Sequence, residues 1–316
     1  MSGPSVVVLA GGLSHERDVS LRSGRRVADA LRHTGLDVEV LDVDAGLLPA
    51  LATHGPTVVV PLLHGATGED GALRDVLELA GIPYVGSRPQ PSRLAFDKPA
   101  AKAAVATAGL ATPDSVALPQ STFRELGAAS VMAALVNALG LPLMVKPTGG
   151  GSSLGAAVVR AADQLPGAMV GCFAYGGTAL VERFVSGTEV AVSVLATAQG
   201  PLALPAVEIV PDGGFYDYAA RYTAGTTEFF APARLDPAVA AQCAQAALTA
   251  HDCLGLRDLS RTDMVVDADG RCWFLEVNVA PGMTETSLFP QAALAAGRDF
   301  GGLWSDLVAA AAARGV

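Results

Sequence analysis

Short apolar runs recur through the first 90 residues, and between them apolar positions return every third or fourth residue. The runs SVVVLAGG, DVEVLDV and TVVVPLLHG have the β-branched density of strands. VSLRSGRRVADALRHTG and GALRDVLELAGI have helical spacing, and the first closes at Gly35. Strand–helix alternation at this interval predicts an α/β fold: a parallel sheet with helices on its faces and functional groups in the loops after the strands. Those loops, GGLSHERDVS and HGATGEDG, are both rich in polar residues.

The Pro-containing stretch GSRPQPSRL reads as a linker and sets a first, Rossmann-like unit at 1–90. A second unit, 91–183, opens with the helical DKPAAKAAVATAGL and passes through LMVKPTGGGSSLGAAVVR. A third, 184–316, begins with TEVAVSVLAT, carries the polar loop GGFYDYAARYTAGTTEFFAP and closes with an Ala-rich amphipathic helix. Where these two units meet, ALVERFVSGTEVAV reads as a strand, a tight Ser-Gly turn and a returning strand. It is bracketed by Glu182 and Glu189, either of which is also an ordinary strand-end acid.

Composition narrows the class. Apolar residues make up 51% of the 316, but no run approaches the roughly 18–20 that span a bilayer. The amino-terminal apolar stretch lacks a basic leader, so it does not read as a signal peptide. A net charge of −10 without a basic block argues against nucleic acid as a partner. Cys172, Cys243, Cys253 and Cys272 are scattered, as free thiols in a reducing compartment would be. An acidic, soluble, cytoplasmic enzyme without membrane attachment is the expectation.

Three stretches could carry chemistry. RTDMVVDADGRCWFLEVN reads as a hairpin turning at Asp269-Gly270, a pair favoured in two-residue turns. That register sets Asp263 opposite Glu276 and Arg261 opposite Asn278, all on one face. Opposed carboxylates repel unless a cation lies between them, and an added amide oxygen makes a set of hard donors suited to Mg²⁺. The plainer reading pairs Asp263 with Arg261 on a solvated face. A three-residue loop with a glycine bulge is the other hairpin geometry, and it shifts the register locally. VKPTGGGSSLG, 145–155, is a Gly-rich turn between two β-like runs whose free N–H groups could cradle an anion. Lys146 precedes the glycines, so this is no Walker A loop; a mobile hairpin lid over phosphates fits, and so does an ordinary flexible hairpin. Lys98 in FDKPAAK is a second candidate phosphate lysine, or a surface charge. Glu182 and Glu189 could bond an adenine amino group and ribose hydroxyls.

With GGLSHERDVSLRSG, HGATGEDG, PYVGS…FDK, VKPTGGGSSLG, YDYAARYTAG, RTDMVV and LEVNVAPGMTETSL in this order, the chain resembles the ATP-grasp superfamily, and within it the D-alanine–D-alanine ligases. The resemblance covers nearly the whole sequence. It implies a Rossmann-like first domain, a two-part ATP-grasp region with a C-terminal antiparallel sheet, a homodimer, and ATP and two Mg²⁺ ions, or Mn²⁺, as co-substrate and cofactor. Asp263, Glu276 and Asn278 would then be the metal ligands. Lys98 and Lys146 would bind phosphates under the loop containing Gly151, Ser152 and Ser153, with Glu182 and Val185 at the adenine and Glu189 at the ribose. Glu16 and His64 would hold the amino end of the first amino acid, and Glu16, Ser152 and Tyr222 would form a bonded triad across the site. Arg261 and the N–H of Gly282 would stabilise the oxyanion, and Ser287 and Leu288 would receive the second carboxylate.

Two features depart from the family pattern. Arg221 stands where a lysine is expected near the transferred phosphate, and the lid is unusually rich in glycine. Both leave the amine substrate open, with a relative from specialised metabolism that joins other amino acids as the alternative. A nicotinamide oxidoreductase is disfavoured because the first βα turn lacks G-x-G-x-x-G. A non-catalytic ATP-binding regulator is disfavoured by the retained site residues.

Overall fold

The computed structural model describes residues 5–213, 216 and 225–316, so Arg221 and Tyr222 lie outside the described residues. Strand β1 (Ser5–Leu9) lies between β2 (Asp37–Leu41) and β3 (Val58–Pro61), all parallel. Val6 to Leu9 and Val58 to Val60 are fully shielded, as expected of strands with helices on both faces. Helices α1 (Arg17–His33), α2 (Leu47–His54), α3 (Ala66–Glu69) and α4 (Ala72–Leu79) accompany this sheet in the predicted alternation.

GSRPQPSRL is not an extended linker. Arg88 is extended, and Pro89 then starts helix α5 (Pro89–Phe96) at the position where a missing N–H costs nothing. Helix α6 (Lys98–Thr107) follows directly, and the Asp97 carboxylate caps it by accepting the Ala100 N–H at 3.0 Å.

Among the described residues, β4 (Ser115–Pro119), β5 (Leu143–Pro147), β6 (Ala157–Val159) and β7 (Thr178–Arg183) form an antiparallel sheet in the order β4-β7-β5-β6. A third sheet holds β8 (Thr188–Thr197), β9 (Gly200–Ala203), β10 (Val207–Pro211), β11 (Thr227–Phe230), β12 (Leu259–Val266) and β13 (Cys272–Asn278). Its order is β11-β10-β8-β12-β13, with β9 on β8. The expected hairpin between β7 and β8 does not form: β7 pairs with β4 and β5, and β8 with β12, β10 and β9. The Ser-Gly turn instead carries the chain from one sheet to the next. A Cβ at Gly187 would lie 2.1 Å from the Val266 carbonyl oxygen, so the crossing requires glycine.

The β12–β13 hairpin reaches its expected register by a different path. Its turn is the three-residue loop 268–270: the Asp267 N–H donates to Arg271 O at 3.1 Å, and Gly270 takes φ 78. That loop aligns Met264 with Phe274. Leu275 then bulges out, which restores Asp263 opposite Glu276 and Arg261 opposite Asn278.

The chain ends back where it began. Trp304 and Leu307 of the Phe300–Arg314 helix share one apolar cluster with Val6, Val58 and Leu31, and the helix packs on α1 and β3. Asp258 is buried, accepts the Gly86 N–H at 2.7 Å and takes both Arg314 amino groups at 3.0 and 2.9 Å.

Candidate active site

Two adjoining cavities, of about 940 and 950 Å³, share Lys98, Gly150, Gly151, Tyr216 and Glu276 in their walls. Every predicted site residue among the described ones lines one or the other. Glu16, His64, Ser152, Arg261, Asn278, Gly282, Ser287 and Leu288 surround the first. Lys146, Ser153, Glu182, Val185, Glu189 and Asp263 surround the second, where Met144, Leu154, Ile209, Met264 and Leu275 add an apolar lining.

The loop between β5 and β6 lies across both and is tied down at several points. The Ser152 hydroxyl donates to the Glu16 carboxylate at the start of α1, and the Ser153 hydroxyl donates to Tyr216 O at 3.0 Å. Lys98 Nζ donates to Gly150 O at 2.7 Å. Ser152 and Ser153 hold φ values of 55 and 56, a left-handed conformation that costs side-chain-bearing residues about 1–2 kcal/mol each. The bonds to Glu16 and Tyr216 offset that cost. A Cβ at Gly151 would stand 3.1 Å from Glu16 Oε2, so the close approach of loop and carboxylate favours glycine there.

Fixed charges alternate through the cleft. Lys98 Nζ lies 3.1 Å from Glu276, and Lys146 Nζ lies 2.5 Å from Glu182, which also takes Lys102 Nζ at 2.8 Å. Arg261 forks onto Asp263 with two bonds of 2.7 Å. Burial opposes the charge on Arg261, yet Asp263 and then Glu276 hold it still more firmly protonated. Asp263 thus makes the pairing of the plainer sequence reading. The face is not solvated, however: Arg261 is buried and the pair lies in the cavity walls.

The donor set fits a hard cation. Asp263 and Glu276 oppose each other, and Asn278 Oδ1 spends one lone pair on the Ala280 N–H at 2.8 Å and keeps another. In this arrangement Arg261 and Lys98 supply the countercharge. Among the described residues no three His, Cys, Asp or Glu side chains form a metal cluster by themselves.

His64 is buried, and its hydrogen bonds define its tautomer. Nδ1–H donates to Ala280 O at 2.9 Å, and Nε2, 3.3 Å from Ser23 Oγ, accepts from that hydroxyl. Ser23 Oγ in turn accepts the Met283 N–H at 3.0 Å. Burial, the leading cause, pushes the His64 pKa down, in keeping with this neutral form. Both ring nitrogens are therefore engaged by the protein. Glu69, in the same cavity, is pushed up to about 8 by burial and then by nearby Glu16, while the Gly65 N–H bonds it at 2.9 Å. Ser287 Oγ accepts the Thr284 N–H at 3.0 Å, and Arg26 holds that loop through the carbonyls of Met283 and Thr284 at 3.0 and 2.7 Å.

Sequence reasoning missed Lys102, the titration of Glu69, and the apolar lining. Lys102 had a signal, since it follows Lys98 by one helical turn and so shares its face. Glu69 had only its place in a polar loop. The apolar residues had none, because in sequence they are ordinary core positions.

Comparison with known proteins follows the same lines. A family model described as D-ala D-ala ligase C-terminus matches residues 104–309, and one described as D-ala D-ala ligase N-terminus matches 50–87. A D-alanine--D-alanine ligase from Anaeromyxobacter dehalogenans (strain 2CP-C) is 43% identical over 311 residues, 98% of each chain. The VanG D-Ala:D-Ser ligase from Enterococcus faecalis superposes with a TM-score of 0.83 at 28% identity, over 98% of this chain and 99% of that one. The D-alanine--D-alanine ligase from Bacillus anthracis complexed with ATP gives 0.81 at 27% identity, over 99% and 98%.

Proposed function

The chain belongs to the D-alanine–D-alanine ligase family, and from that premise we propose that its cleft joins two D-alanines at the expense of ATP, making the dipeptide used in peptidoglycan precursors. It is an ATP-dependent ligase with a mixed α/β, ATP-grasp fold. The observation that carries the site assignment is the Ser152–Glu16 bond. It joins the Gly-rich loop to the amino-terminal sheet over a cleft where two lysines face two carboxylates.

In this reading the apolar cavity takes the nucleotide. Val185 and Glu182 border the adenine, Glu189 meets the ribose, and Lys98 and Lys146 bind phosphates as point charges. Asp263, Glu276 and Asn278 would hold Mg²⁺, in one or two ions, which when bound neutralises charge on the transferring phosphoryl group. The first D-alanine lies in the other cavity, its ammonium on Glu16 and its carboxylate directed at the γ-phosphate. His64 acts on it indirectly, by tying the loop after β3 to the Ala280–Met283 segment. The acyl phosphate that forms would react with water, and the closed loop over both cavities excludes it. The second amine then attacks. Arg261 and the Gly282 N–H stabilise the oxyanion, Ser287 and Leu288 receive the second carboxylate, and Arg221 and Tyr222 join the site from outside the described residues.

A homodimer and a cytoplasmic location belong to the same proposal and rest on the family pattern. Among the described residues no helix is long and apolar enough to cross a membrane. The division into 1–90, 91–183 and 184–316 is likewise proposed, each unit centred on one sheet. The test is ATP-dependent phosphate release with D-alanine, D-serine and a panel of other amino acids, with products weighed by mass spectrometry. D-alanyl-D-alanine is the expected product. Turnover only with another pair would overturn the substrate, and no turnover with any pair would overturn the ligase reading.

A further inference from the structure

Behind the wall of the nucleotide-side cavity lies a charge arrangement in which one member, Lys102, has no role above. Glu182 is held from both sides, by Lys102 Nζ at 2.8 Å on one oxygen and Lys146 Nζ at 2.5 Å on the other. The β5–β7 register, Met144 opposite Glu182 and Lys146 opposite Leu180, sets Lys146 and Glu182 diagonally on one sheet face. Lys102 reaches them from α6. Side-chain exposure is 4% for Lys102, 2% for Glu182 and 12% for Lys146. Lys146 and Glu182 line the cavity, and Lys102 stands behind them.

Lys146 Nζ, 2.5 Å from Glu182, gives up that contact when it turns fully onto a phosphate. A carboxylate this deeply buried cannot lose its only partner cheaply: it either pays desolvation uncompensated or takes up a proton. A second lysine on the same carboxylate removes that obstacle. After the exchange every buried charge is still paired, with Lys102 on Glu182 and Lys146 on the phosphate. We propose that Lys102 is a positioning residue of the nucleotide site, keeping Glu182 charged and paired so that Lys146 is free to turn to a nucleotide phosphate without a proton being taken up. This rests on the reading of the cavity as the ATP site.

The surroundings agree. Burial opposes the charge on Glu182, but the two lysines more than offset it and hold its pKa down. Burial similarly opposes the charge on Lys146, which Glu182, Glu276 and Asp263 outweigh. Lys102 is lowered by burial, with Glu182 and Asp114 opposing. From β4, Ser115 is the residue aligned with Glu182.

Calorimetric titration of the full-length protein with ADP and with ATP, in two buffers of different ionisation enthalpy near neutral pH, counts the protons exchanged. Wild type should bind nucleotide without taking up a proton at this trio. Lys102→Met should bind about tenfold or more weakly and take up close to one additional proton, with the KM for D-alanine unchanged. The double variant Lys102→Met/Glu182→Gln, which removes the trapping carboxylate, should bind without the extra proton. Thermal melts report whether each variant is folded. If Lys102→Met is not, Lys102→Gln carries the same expectations. Wild-type affinity in the Lys102 variant would overturn the proposal, and so would an affinity loss that brings no proton, or an extra proton that the double variant still takes up. Wild type that binds no nucleotide at all would instead sink the ATP-site reading, and this proposal with it.

Discussion

Arg261 spends two of its five N–H groups on Asp263, which fixes the plane of the guanidinium and leaves the others for the cavity. Lost preorganised donors of this kind cost about 10²–10³ in turnover. Arg261→Ala should therefore lower kcat by that order while changing nucleotide affinity only a few-fold, as steady-state kinetics beside calorimetric ATP binding would show. Lost ATP affinity at unchanged kcat would reassign the residue. Glu69 makes a pH prediction. Its pKa is raised from the ordinary 4.5 to about 8 by burial and Glu16, so the folded state holds a proton that the unfolded chain releases. The stability this lends is complete below about 4.5 and declines as pH rises through 8. Glu69→Gln keeps the acceptor for the Gly65 N–H without the charge. It should be more stable than wild type by an amount that grows across this window, reaching on the order of a few kcal/mol, read as a widening gap in melting temperature. A difference independent of pH would contradict the burial argument.

At the scale of elements, the β5–β6 loop is a clasp whose strength lies in a few bonds. A hydrogen bond to a charged carboxylate is worth about 1.5–3 kcal/mol, and the Ser152–Glu16 bond is also what holds a left-handed backbone in place. Ser152→Ala should lower dipeptide formation about 10- to 100-fold. It should also raise the phosphate released per dipeptide, because a loosened loop admits water to the acyl phosphate. Comparing phosphate release with product by mass tests this, and an unchanged ratio would show that water exclusion lies elsewhere. The hairpin below the clasp shows how much of an element is legible. Alternation placed Asp263, Glu276, Arg261 and Asn278 on one face, and they are there. The Asp-Gly pair suggested a tighter turn than forms, and the bulge at Leu275, which compensates for the longer loop, has no local signature. The strands β7 and β8 were legible as strands, but their failure to pair was not, because the competing partners β5 and β12 lie far away in sequence.

At the scale of the whole molecule, the last helix closes the chain onto its first sheet, and one buried carboxylate locks that closure. Asp258 binds Arg314 through both amino groups and Gly86 through its N–H. Removing Arg314 leaves this buried carboxylate with the Gly86 N–H and a more distant Arg257, Nε at 3.8 Å, and loss of one partner of a buried pair costs about 3–5 kcal/mol. Arg314→Ala should lower the melting temperature by roughly 6–10 °C, while Arg298→Ala, on a residue that makes no ion pair among the described residues, should change it little. Equal, small shifts for both would show that the clamp is not what secures the helix.

The sequence by itself determined many of the strands and helices, which residues share a face of the hairpin, and a set of polar residues from separate loops whose described members line two adjoining cavities. Those features follow from local periodicity and from motif order, which are properties of residues near one another in the chain. Only the tertiary structure decided that Pro89–Phe96 is a helix rather than a linker, that β7 and β8 part to different sheets, and that the Phe300–Arg314 helix returns to the first sheet. It alone also decided that His64 has both nitrogens engaged and that Glu182 sits between two lysines. Burial and ion pairing join residues tens to hundreds of positions apart, and a charge buried by such contacts leaves no mark on its neighbours in sequence.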